Sequence, residues 1–128
     1  MSSCEETLRR IGGKLNKTAG NIATFYHISP SSSDIEALSA MSTLDGFAFY
    51  LSDISDDDVE RLSNNSNFKK IAFFSCKNIT DGVFTALSRY DQIEEVAFLD
   101  VDVSRSALDR FISDNPSVVV RFTDRKSN

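Results

Sequence analysis

One short apolar phrase returns five times along this chain, and its spacing limits the possible folds more than any other feature. The copies are Ala23-Thr24-Phe25-Tyr26, Phe47-Ala48-Phe49-Tyr50, Ile71-Ala72-Phe73-Phe74, Val96-Ala97-Phe98-Leu99 and Val120-Arg121-Phe122-Thr123. Their central residues, Phe25, Phe49, Phe73, Phe98 and Phe122, stand 24, 24, 25 and 24 residues apart. Other apolar columns keep step: Leu44, Phe68 and Ile93; Ile54, Ile79 and Val103; Leu38, Leu62, Leu87 and Phe111. A fixed period of this size marks structural units that bury their apolar faces against one another.

Each unit has two halves. The first alternates apolar and other residues, which predicts a strand. The second spaces its apolar residues three and four apart, as in Val83, Phe84 and Leu87 or Leu108, Phe111 and Ile112, which predicts one face of a short helix. Helix starts carry capping patterns at Ser33 with Glu36 and at Ser55 with Asp58, and Thr80-Asp81 offers a hydroxyl cap. Asn115-Pro116 stops the last helix. A strand and a helix in about 24 residues leave room only for tight crossovers. The expected fold is therefore α/β: a short right-handed solenoid with parallel strands on one face and helices on the other, about four strand-helix units and a final strand.

Residues 68–87, from Phe68 through Ile71, Phe73, Cys76 and Ile79-Thr80-Asp81 to Leu87, resemble the cysteine-containing leucine-rich repeat, LxxLxLxxCxxITDxxLxxL. Leu44 to Leu62 is similar, with Ser52 in the Cys column, and Ile93 to Phe111 carries Val101 there. The resemblance covers roughly residues 22–122. It implies a cap segment at 1–21, repeats at 22–122 and a polar tail at 123–128. It also implies a non-catalytic scaffold that binds another protein, with a substrate-recognition adaptor of a ubiquitin-ligase complex as one alternative. No F-box-like pattern precedes the repeats.

Strand parity names the surface concerned. If Phe47 and Phe49 point inward, Gly46, Ala48 and Tyr50 point outward. The outward columns then contain small Ala48, Ala72 and Ala97 beside a large apolar stripe, Tyr26, Tyr50, Phe74 and Leu99. Lys70, Glu95 and Arg121 flank it. Contiguous exposed apolar area marks interfaces, so these seven residues are the candidate partner site. The competing expectation is that the terminal segments cover the stripe. Val118-Val119-Val120 predicts an outermost strand whose free edge offers a homodimer contact, blunted by Arg121, Arg125 and Lys126.

Other features point to structure rather than chemistry. Hydrophobic residues at 41% and charged residues at 26% supply one core and exclude wholesale disorder. A net charge of −5 argues against a nucleic-acid partner, and no apolar run is long enough for a membrane span. Two cysteines, Cys4 and Cys76, and no basic-then-apolar leader predict a reducing, cytoplasmic setting. Cys76 is read as a half-buried turn residue whose thiol serves backbone carbonyls, with no metal or cofactor expected. His27 with Ser29 or Ser31 is the enzymatic rival, but the serine run around Pro30 reads as a loop into a helix. The acidic run Asp53, Asp56, Asp57, Asp58 and Glu60 is read as a solvated capping face. Gly12-Gly13-Lys14 lacks the context of a phosphate loop. Leu8, Ile11, Leu15 and Ala19 predict one short amphipathic cap helix over residues 5–19.

Overall fold

The structure, a computed structural model, describes residues 4–18, 20–65 and 67–123. These form an α/β fold with six strands and five helices: α1 Cys4–Ile11, β1 Gly13–Asn16, β2 Ile22–Tyr26, α2 Ser32–Ser39, β3 Gly46–Tyr50, α3 Asp56–Leu62, β4 Lys70–Phe74, α4 Gly82–Leu87, β5 Glu95–Leu99, α5 Arg105–Asp114 and β6 Val119–Thr123. The strands make one sheet in chain order. β2 to β6 are parallel neighbours, and β1 pairs antiparallel with β2. No helix of the described residues is long and apolar enough to cross a membrane.

The aromatic phrase sets the register. Phe25, Phe49, Phe73, Phe98 and Phe122 are successive cross-strand partners, so one period equals one strand step. The rings, however, do not form a continuous stack. Phe25 stacks on Phe49 at 4.7 Å and Phe73 on Phe98 at 6.0 Å. Between the pairs, Phe47 sets its edge against Phe49 and Phe73, at 5.5 and 6.1 Å. Phe122 is only half-buried. The inward strand residues share one core with Ile35 and Leu38 of α2, Val59 and Leu62 of α3, Val83 and Leu87 of α4, and Leu108 and Phe111 of α5. Each such side chain contributes roughly 1.5–3 kcal/mol by burial.

The extra residue of the 25-residue unit sits in the turn after β4. Phe73 and Ile79 are six positions apart, where Phe49 and Ile54 are five. Lys77 and Asn78, in that turn, are exposed. The sheet register on either side is unbroken.

Every strand from β2 to β5 is followed directly by a left-handed residue: His27, Leu51, Ser75 and Asp100, at φ 55–56°. Each amide N–H donates to the last carbonyl of the next strand, as in His27 to Tyr50 at 2.9 Å and Leu51 to Phe74 at 2.8 Å. The ladder thus gains one bond while the chain turns toward its helix.

Three expectations need correction. The first segment is not one helix over 5–19. Gly12, at φ 105°, ends α1 after Ile11, and Leu15 lies in β1. A side chain at Gly13 would strike the Phe25 ring at 2.3 Å, so glycine there lets β1 close on the sheet edge. Leu8 is fully buried, while Ala19 lies outside the described residues. The cap of α2 is Ser31 with Asp34, not Ser33 with Glu36, whereas the Ser55–Asp58 box forms as expected. Thr80 does not cap α4 through its side chain, because its hydroxyl donates to Asp56 of the preceding unit.

Candidate functional site: the outward face of the sheet

Alternation along five parallel strands sorts the outward side chains into three rows. The row nearest the strand ends carries Tyr26, Tyr50, Phe74 and Leu99, which are consecutive register partners. Tyr26 and Tyr50 stack at 4.5 Å and 15°, and Tyr50 and Phe74 at 4.3 Å and 6°. Stacked rings present their edges to solvent, so the row is a ribbed ridge rather than a flat aromatic platform. Tyr26 is 55% exposed and Leu99 36%, while Tyr50 and Phe74 are half-buried between neighbours. Burial, and then the facing Tyr26 phenol, push the Tyr50 hydroxyl pKa upward.

The middle row is small: Thr24, Ala48, Ala72 and Ala97, ending at Arg121. These alanines floor a depression of about 80 Å3 that Ile22, Lys70 and Glu95 border on the side away from the ridge. Gly46 belongs to that far row. A Cβ there would lie 1.9 Å from the Lys70 carbonyl oxygen, so only glycine admits this strand approach.

The charged flanks are ordered by the sheet itself. Lys70 and Glu95 are direct register partners, and Arg121 donates to Glu95 at 2.9 Å. Together with the ridge they lie on one face, but the alanine row separates Lys70 and Glu95 from the aromatic residues. The described part of the N-terminal segment adds β1 to the sheet edge rather than covering the ridge, and brings Lys14 to the same outward face, opposite Thr24. Arg125 and Lys126 lie outside the described residues. β6 is the other sheet edge, with Val119 51% exposed. Val118 precedes the strand and is buried.

Elsewhere, polar side chains join neighbouring units. Cys76 is fully buried rather than half-buried, and its thiol donates to the Phe49 carbonyl at 3.3 Å. Burial pushes that thiol pKa up. Ser52, also buried, donates to the Ile28 carbonyl at 2.8 Å. The side chain of Cys4 lies outside the described residues. Instead of facing solvent throughout, the acidic run reaches into adjacent units. Asp53 accepts from Ser29 at 2.7 Å and faces Lys77 at 3.5 Å; the hydrogen bond first, then the cation, hold its pKa below the ordinary value. Asp56 accepts from Thr80, and Glu60 faces Arg89 at 3.6 Å. Ser31 is occupied as a helix cap, and the His27 imidazole hydrogen-bonds to neither Ser29 nor Ser31.

Sequence reasoning missed the buried amide of Asn65, which donates to the Met41 carbonyl at 2.8 Å and accepts from the Asn67 N–H. It also missed a cleft of about 610 Å3 between α4 and α5, over Phe84 and Phe111 and rimmed by Asp81, Arg110 and Asp114. No spacing in the sequence announces how far two helices diverge. Comparison of the sequence with models of protein families and with curated proteins returns no match.

Proposed function

We propose that this chain is a leucine-rich-repeat solenoid of the cysteine-containing kind, and that it serves as a non-catalytic, cytoplasmic scaffold binding another protein through its outward sheet face. Support for the repeat reading comes from the in-register phenylalanine column and from Cys76 and Ser52 filling the same turn position with the same kind of bond to a carbonyl of the preceding unit. The single observation that carries the binding reading is the Tyr26–Tyr50–Phe74–Leu99 ridge, continuous across four strands and open to solvent at both ends. A partner covering this row removes apolar area from water at about 25 cal/mol per Å2, less the costs of association.

The test is capture from native lysate with the wild type and with a Tyr50→Ser/Phe74→Ser variant, alongside Tyr26→Ser/Leu99→Ser, which alters the more exposed ends. Loss of the same captured proteins in both, with native melting behaviour in the second, supports the reading. Full retention in both rejects it.

A second reading rests on β6, whose Val119 is exposed at the sheet edge. Two copies joined edge to edge would form a dimer that Val119→Lys converts to monomer. Sedimentation of the pure protein separates this reading from the first.

A further inference from the structure

The outward face has a shape, a polarity and a charge that together specify its occupant. The inference rests on the protein-binding reading above and names the partner's chemistry. Backbone groups of β2 to β5 are engaged in the ladders on both sides, so the face offers an incoming segment no peptide hydrogen bonds. A lone extended segment lying there would leave its own peptide groups unpaired, whereas a helix satisfies them internally.

The dimensions agree. The ridge row and the Lys70–Glu95 row are four residues apart along each strand, about 13 Å, and a helix with side chains is about 10–12 Å across. Between Thr24 and Arg121 the trough crosses four strand spacings, about 19 Å, the length of roughly 13 helical residues.

Charge chooses the kind of helix. Among the described strand residues that face outward, three are cations, Lys14, Lys70 and Arg121, and one is an anion, Glu95, which is the register partner of Lys70 and accepts from Arg121. This face is therefore positive on a chain whose net charge is −5. From the juxtaposition of an aromatic ridge, an alanine floor that ends at Arg121, and a net positive set of outward charges, we infer that the outward sheet face seats an acidic amphipathic helix of a partner protein. The apolar side of that helix lies on Tyr50, Phe74 and the alanines. Its carboxylates reach Lys70 and Arg121, with Lys14 at the far end.

The experiment uses the whole chain and three capped peptides of about 14 residues. All carry leucine at i, i+3, i+4 and i+7 on an alanine background. One has glutamate at the flanking positions, one has lysine there, and the third is the glutamate peptide with a central proline. Methyl resonances of Ala48, Ala72 and Ala97 are followed during titration, with and without added salt. The glutamate peptide is expected to saturate shifts at these methyls, more weakly in salt, with the lysine peptide at least about tenfold weaker and the proline peptide silent. In a Lys70→Gln/Arg121→Gln variant with a native melting curve, the preference for glutamate disappears. Equal binding of both helical peptides, binding of the proline peptide, or no shift at millimolar peptide overturns the inference. Shifts that follow protein concentration without peptide assign the face to a second copy and also overturn it. If the peptides fail while lysate capture still depends on Tyr50 and Phe74, the binding reading stands and the helix inference alone falls. If the peptides bind and capture is unaffected, the binding reading falls, and the inference of a partner protein's helix falls with it.

Discussion

The carboxylate of Asp56 accepts two hydrogen bonds from Thr80, one from its backbone N–H at 2.9 Å and one from its hydroxyl. Asp81 does the same for Ser104, accepting from its N–H at 2.6 Å and its hydroxyl at 2.8 Å. In both cases an acid at the helix start of one unit fixes the turn entering the helix of the next. The two bonds to a charged group are worth more than ordinary neutral ones. Asp56→Ala is therefore expected to lower unfolding free energy by about 2 kcal/mol in urea titration. Asp81→Ala should act similarly, and neither should alter the outward face.

Leu51 is the left-handed residue least suited to its backbone. It is 51% exposed and β-carbon crowding at φ 55° costs roughly 1–2 kcal/mol, which asparagine tolerates better. Leu51→Asn should raise stability by about 1 kcal/mol, seen as a higher melting temperature. An unchanged or lower value would mean that the exposed leucine stabilises the turn by contacts that outweigh the strain.

At Gly46 the opposite change is expected. A Cβ at this position would meet backbone, the Lys70 carbonyl oxygen at 1.9 Å, which cannot swing aside as a side chain would. Gly46→Ala should destabilise by about 3 kcal/mol and disturb the β3–β4 ladder, visible as faster amide exchange across Lys70–Phe74.

Tyr90 links stability to alkaline pH. Its hydroxyl is buried and donates to the Val59 carbonyl, and burial drives its pKa well above the ordinary tyrosine value. The folded state thus keeps a proton that the unfolded chain loses near pH 10. The stabilisation is complete below the unfolded pKa and declines as pH rises past it toward the folded pKa. Denaturant melts at increasing pH should show this decline steepening above about pH 10, and Tyr90→Phe should flatten it while costing about 1 kcal/mol at neutral pH.

Cys76 gives a readout of global opening. Its thiol is fully buried, bonded to the Phe49 carbonyl, and burial raises its pKa, so the reactive thiolate is scarce in the folded state. Alkylation of Cys76 should follow the unfolding equilibrium across a urea series. Rapid labelling without denaturant would show that the turn after β4 opens on its own.

How much of this was legible depends on whether one residue type dominates a position. Phe25, Phe49, Phe73 and Phe98 repeat so evenly that the register of β2 to β5 followed from counting. Their ring packing did not, because Phe47 and Phe49 compete for the same interior and Phe47 takes the edge-on place between the stacked pairs. The α2 cap was placed two residues late: Ser33 with Glu36 has box spacing, but Ser31 with Asp34 has the same spacing and is the box that forms. Leu15 fits a helical stripe as well as a strand, so β1 was hidden until Gly12 ended α1. The left-handed turns had no glycine to mark them. The outward residues Tyr26, Tyr50, Phe74, Leu99, Lys70, Glu95 and Arg121 were placed on one face by parity, but Lys14 was missed with β1.

The turn after β4 already absorbs one residue more than its counterpart after β3, without disturbing the strands on either side. Chain length is therefore negotiable at Lys77 and Asn78 in a way it is not within the strands. A short epitope or dye-acceptor sequence grafted between these two residues gives a label on a living molecule whose ridge, floor and flank stay as they are.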